Sequence, residues 1–461
     1  MTTASSGVRE EAQQANPQIL AWSILLLSFA LFCLLFASLL VTAENFLFQS
    51  SLPMEVILNV GRGTVSVSDL ANPAEQVGIN GSAIPDGVIV RTDPQSQGTI
   101  SFIDGDEGEE RLLATLTLQR DSRVTLLGAQ SPRFPWSRRG HEIALQDVIG
   151  EMNLTISDFA GQDMRVYGRT PGRAWLQMSG PGTYTIEGAS EELRLFNHDG
   201  QVRLESADGL QSRVVLPGAQ GAVLYESPRV EIRPGYVNLL KDEDFAQLQP
   251  GTSTSESAAW ACDHGPSDSP PGAHEILNAF GLESLRFLRD GGVTTHGENF
   301  CVQQFGQRGL DLKEFDLDYL SIRASFFVEH ASLGSCGTHG SECPLMLRMD
   351  YLSQEYLESQ QGRQPGETGV RAVPPGGDAI QWRHGFFTHT REEWPMRCDT
   401  CIQDHELIHE KSWYVYESPN LLTLFSPDPP PEIIVGVWVY ASGHEYDVRV
   451  RDVALLAKQR S

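Results

Sequence analysis

His405-Glu406-Leu407-Ile408-His409 has the spacing H-E-x-x-H. On a helix this spacing puts two imidazoles on one face to hold zinc, and the carboxylate between them can act as base toward a metal-bound water. The flanks argue against such a helix. Asp404, Glu410 and Lys411 bring charge where a buried helix needs apolar residues. No Gly-x-x-His follows as a third ligand, and neither Glu417 nor Glu432 has a helical setting. Trp413-Tyr414-Val415-Tyr416 follows at once, a run of strand formers. The segment therefore reads as loop and strand with Leu407 buried. A zinc-dependent hydrolase, with His405 and His409 as ligands and Glu406 as base, is the alternative reading.

Cysteine chemistry points elsewhere. Of seven cysteines, Cys33 lies in an apolar run and the other six fall between Cys262 and Cys401. Cys336-x6-Cys343 and Cys398-x2-Cys401, with His339 nearby, could form a four-thiolate zinc site in a reducing compartment. The first gap is wide for that role, and an even group at short spacings fits an oxidising compartment. Local pairing would give Cys262–Cys301, Cys336–Cys343 and Cys398–Cys401, one choice among about 15 connectivities. No cofactor is called for beyond a structural calcium or zinc ion.

These groups must be held by something, and the chain is long enough for two or three domains at 461 residues. Its formal charge of −26 argues against nucleic acid as the main partner, since phosphate contacts need clustered Lys and Arg. Ile19 to Ala43 holds 25 residues without a charge, long enough to cross a bilayer core of roughly 30 Å. A cleaved signal peptide would have a basic start and an apolar stretch of about 7–15 residues. Arg9, Glu10 and Glu11 do not supply that start. The expected layout is a short cytoplasmic tail (1–18), a transmembrane helix (19–43) that makes the membrane a partner, and a large extracytoplasmic part.

After the helix the periodicity is that of strands, with turn formers such as Pro85-Asp86-Gly87 between them. Leu113 to Leu118, Tyr184-Thr185-Ile186 and Val202-Arg203-Leu204 are typical. A mainly β chain follows, the first half a sandwich or solenoid-like stack. Gly63-Thr64-Val65-Ser66-Val67, Ile84-Pro85-Asp86-Gly87 and Gly98-Thr99-Ile100-Ser101-Phe102-Ile103-Asp104 resemble the opening of a FecR-type domain. Gly200-Gln201-Val202-Arg203-Leu204 and Leu216 to Val223 resemble its closing strands, so the resemblance covers about 55–226. It implies a bacterial, extracytoplasmic β domain and, as a further alternative, a transmembrane signalling sensor. Eighteen residues before the helix are too few for the helical region that would hold a sigma factor.

From Gly235 a second unit begins, with strands such as Leu320 to Glu329, Leu345 to Tyr351 and Ile433 to Tyr440. Asn238 to Phe245, Leu347-Arg348-Met349-Asp350-Tyr351, Trp413 to Ser418 and Tyr440 to Val448 resemble a galactose-binding-like jelly roll of the carbohydrate-binding-module class, over about 236–461. The resemblance implies a β-sandwich suited to a glycan or an envelope protein. Pyranose rings need flat aromatic faces with polar groups around them. Trp382, Phe386, Trp394, Trp413 and Tyr414 are the candidate ligand-binding residues, with Phe387 beside them, although aromatics that alternate along a strand equally serve as core. The function expected is a non-enzymatic, single-pass, cell-membrane protein that presents two β domains outside the cytoplasm.

Overall fold

The computed structural model describes residues 17–70, 74–105, 111–157, 164–227, 229–242, 245–248, 259–266, 268–279, 282–292, 294–306, 308–337, 340–354, 379–389, 405–425 and 429–460. The apolar run forms one helix, Pro17–Gln49. It continues past Ala43 because Glu44-Asn45-Phe46-Leu47-Phe48 contains no Gly or Pro to stop it. Leucines, phenylalanines and Ile24 stand exposed around the helix from Trp22 to Val41. A helix apolar on all sides and packed against no core is suited to lipid, and this one is long enough to span it. The helix and Pro132–Gly140 form one compact unit; Pro53–Ser131 with His141–Ser461 forms another.

Within the larger unit, the described residues of the first β region form a single sheet of sixteen strands folded around its own core. Leu58, Ile100, Phe102, Leu116, Leu154 and Ile186 are fully buried there. The sheet folds because long strands change partners midway. In His141–Ile156 the first half pairs with Leu126 to Gln130, and the second half with Ala114 to Leu118 and Gly182 to Gly188. The bend falls at Gly150, whose φ is +84°; a Cβ there would stand 2.6 Å from Ser122 Cα.

The second β region is a sandwich of two sheets with a separate core. One sheet has the strand order 273–279, 282–289, 446–459, 317–331, 413–417. The other runs 261–264, 297–304, 433–443, 345–352, 380–387, 406–407. The edge strand Trp413–Glu417 is closed off by the first β region. The Gln97 amide pairs with Val415 in both directions, donating to its carbonyl at 2.8 Å and accepting from its N–H at 3.1 Å. Thr99 Oγ1 donates to Trp413 O at 3.0 Å. Side chains thus complete a ladder that an open edge would offer to another chain.

Among the described residues two disulfides brace the sandwich. Cys262–Cys301 joins directly opposed residues of neighbouring strands, and Cys336–Cys343 closes a loop before Leu345–Leu352. Cys398, Cys401, Trp394 and His339 lie outside the described residues.

Candidate functional site

The H-E-x-x-H segment is extended, with Glu406 and Leu407 paired in parallel to Phe386 and Phe387. The expectation of a buried Leu407 is corrected: Leu407 is 40% exposed and Ile408 is the residue turned inward. His405 Nδ1 accepts from Gly385 N–H at 2.8 Å, so Nε2 carries the proton and donates to Gly340 O at 2.6 Å. His409 is exposed. With no helix to align the imidazoles, the zinc-hydrolase geometry is not formed. Glu406 instead pairs with Arg62 at 2.9 Å and accepts from Tyr414 Oη at 2.6 Å. Burial, then the Glu406 charge, holds the Tyr414 phenol well above its usual range. Among the described residues, Cys336, Cys343 and His405 bring metal-type ligand atoms together. Both sulfurs of that trio are spent in a disulfide.

Trp382 and Phe386 are fully buried and Tyr414 is 4% exposed, all in the sandwich core. Alternation explains this placement: in Ile380–Phe387 Gln381, Arg383 and Gly385 take the opposite face, where Gln381 and Arg383 are half-buried and Gly385 is covered by Cys343 and Met346. Trp413 is half-buried, with Phe327 at 5.7 Å and the Arg451 guanidinium 6.0 Å from its ring.

Where the two β regions meet, a cleft of about 440 Å³ opens. Gln95, Gln97, Gln119, Arg120, Glu151, Glu187 and His198 line it from the first region, and Tyr319, Tyr416 and Glu417 from the second, with Tyr236 between. Glu417 is fixed by two donors, Tyr319 Oη and Ser321 Oγ, each at 2.9 Å. The rings of Tyr236 and Tyr319 lie 5.1 Å apart and tilted. His198 accepts from Arg323 Nη1 at 2.9 Å; burial, then that guanidinium, holds the imidazole neutral, well below its ordinary range.

Four carboxylates line this cleft, those of Glu151, Glu187, Glu406 and Glu417, and Glu151 and Glu187 are raised. Burial, followed by the charges of Glu417 and Glu187, pushes Glu151 up to about 7, with Arg323 and Arg120 offsetting part of the rise. Glu187 is raised as well, chiefly by burial. Carboxylate acceptors, amide groups and tyrosine faces at close quarters can fix several hydroxyls and stack on a ring. No local motif announced this set, because its residues come from segments that meet only in the fold. Glu417 entered the sequence reading as a rejected zinc ligand and within the Trp413 to Ser418 resemblance, and of the aromatic candidates Tyr414 also lines the cleft.

A smaller recess of about 150 Å³ lies on the outer face of the second sheet, among Glu298, Arg348, Arg383, Trp438 and Tyr440. Its aromatic surface is already occupied. The Arg348 guanidinium lies 4.6 Å from the Trp438 ring centre, and Phe300 lies 5.2 Å from it. Arg348 in turn is held by Asp350 at 2.6 and 2.7 Å.

No family model matches the chain, and no curated protein matches it. Solved structures do. One is a protein of Parabacteroides distasonis assigned as an anti-sigma factor, with 13% identity and a TM-score of 0.20 over 26% of this chain. The match spans about half of that protein, 51% of its length. A family 11 carbohydrate-binding module of a Clostridium thermocellum cellulosomal cellulase is 11% identical, with a TM-score of 0.25, over 49% of this chain and 97% of the module. A tandem family 22 module from Paenibacillus barcinonensis is 10% identical, with a TM-score of 0.22, over 89% of this chain and 98% of the other. At these scores the likeness assigns neither a family nor a ligand.

Proposed function

We propose that this chain is a membrane-anchored, extracytoplasmic binding protein that holds a hydroxyl-rich ligand, a saccharide, in the cleft between its β regions. In this reading residues 1–18 are a cytoplasmic tail and 19–43 the span, followed by β domains over about 55–226 and 236–461. The all-round apolar helix and two disulfides support the placement. The cleft carries the binding claim: it joins oriented acceptors, tyrosine faces and raised carboxyl groups in a cavity of about 440 Å³. The jelly roll contributes through Tyr319 and Glu417 rather than through its buried Trp382 and Phe386.

The test is an oligosaccharide array probed with the full chain in detergent. Binding to a subset of glycans that weakens about tenfold in Glu417→Gln supports the reading. Silence across the array, or signals indifferent to Glu417, would refute it.

A further inference from the structure

The compact unit that holds the apolar helix also holds Pro132-Arg133-Phe134-Pro135-Trp136-Ser137-Arg138-Arg139-Gly140. In a chain of net charge −26 these nine residues carry three arginines and no acid. They close the end of the helix. Arg138 N–H and Ser137 Oγ both donate to Phe48 O, at 3.0 and 2.8 Å, and Arg133 N–H donates to Ser50 O at 3.1 Å. Carbonyls at a helix end are costly to leave bare beside lipid, and here the loop satisfies them.

Apart from Glu44, whose carboxylate lies 3.5 Å from the Arg138 guanidinium, aromatic and basic groups dominate the side chains around that cap. Phe134 meets Phe46 edge-on at 5.7 Å and stacks with Trp136 at 5.1 Å. The guanidinium groups of Arg133 and Arg138 lie 5.3 and 5.1 Å from the rings of Phe46 and Phe48. Trp136 remains 59% exposed although it is the largest apolar group of the loop. Aromatic rings with guanidinium heads, set directly after an apolar span, match the layer where acyl chains give way to phosphates. Glu44 offsets one of the three arginine charges through its pair with Arg138, which leaves the patch a net positive charge.

We infer that Phe134, Trp136 and the three arginines form an interfacial foot that seats on anionic lipid headgroups. The ligand is the phosphate layer of the membrane that the helix enters. The inference rests on the anchor reading above, and its test separates the two. The full chain in a Trp22→Phe background is reconstituted into vesicles of phosphatidylcholine, with or without phosphatidylglycerol, carrying brominated acyl chains. The chain should float with both kinds of vesicle. Trp136→Phe should cut the lipid-quenched emission at least twofold, and quenching should be deeper in the anionic vesicles. Arg133→Gln, Arg138→Gln and Arg139→Gln together should erase that difference. A chain that floats but shows no quenching dependent on Trp136, or equal quenching in both vesicles, would overturn the foot and leave the anchor standing. A chain that floats with neither would overturn both.

Discussion

Glu406 sits between two histidines at hydrolase spacing, yet its surroundings are those of a structural anion. Arg62 at 2.9 Å and Tyr414 at 2.6 Å claim its oxygens, and Arg120 stands at 3.8 Å. Replacing it by Gln leaves Arg62 facing an uncharged group. Breaking a buried pair costs about 3–5 kcal/mol, and the cost here should be nearer 2 kcal/mol because Arg62 reaches water. Urea unfolding of Glu406→Gln should show that loss, while metal analysis of parent and variant gives the same content. Zinc that disappears with Glu406, His405 or His409 would contradict the assignment. The charged flanks at Asp404, Glu410 and Lys411 made the absence of a helix legible in the sequence. The phase of a strand only two residues long was not legible, so Leu407 is expected inside where the structure buries Ile408.

Strands were readable as elements because their apolar runs and turns recur, and the helix because nothing interrupts it. Which face a strand turns inward was harder to read. Ile380–Phe387 contains Trp382, His384 and Phe386 on one side, and that side packs against Tyr414 and Tyr416 in the core. A row of aromatics looks the same in sequence whether it lines a platform or fills a sandwich. Cys262–Cys301 and Cys336–Cys343 are two of the three local pairs that spacing suggests, with Cys398–Cys401 outside the described residues, and Cys262–Cys301 should matter most for its reach. Its two halves are 39 residues apart. Chain-entropy arguments place such a cross-link at about 4 kcal/mol. Cys262→Ser with Cys301→Ser should lower the unfolding midpoint by that order in denaturant titrations, and reductant should produce no further change at this site. An unchanged midpoint would show that register alone holds these strands.

At the scale of the molecule, the joint between the β regions gathers two carboxyl groups raised by burial, Glu151 and Glu187. Glu151 is raised from 4.5 to about 7. The folded chain therefore binds this proton more tightly than the unfolded chain does. The stability it contributes is complete below pH 4.5 and is lost as pH rises through about 7, and Glu187 shifts in the same direction. The melting temperature should fall between about pH 5 and about pH 8, and Glu151→Gln should flatten that fall. An equal fall in the variant would place the titration elsewhere. This joint could not be foreseen from the chain, because Glu151, Glu187, Tyr319 and Glu417 become neighbours only when strand 413–417 docks on Gln97 and Thr99.

Calorimetric titration of an array-identified saccharide into three forms of the full chain decides whether the cleft is the binding site. Parent protein should bind. Tyr319→Phe, which removes a single hydroxyl from the cleft, should weaken binding about tenfold. Trp438→Ala, which alters the recess on the opposite sheet, should leave the affinity within about twofold. Affinity that survives in Tyr319→Phe and collapses in Trp438→Ala would contradict the account and move the site to the outer face of the sandwich.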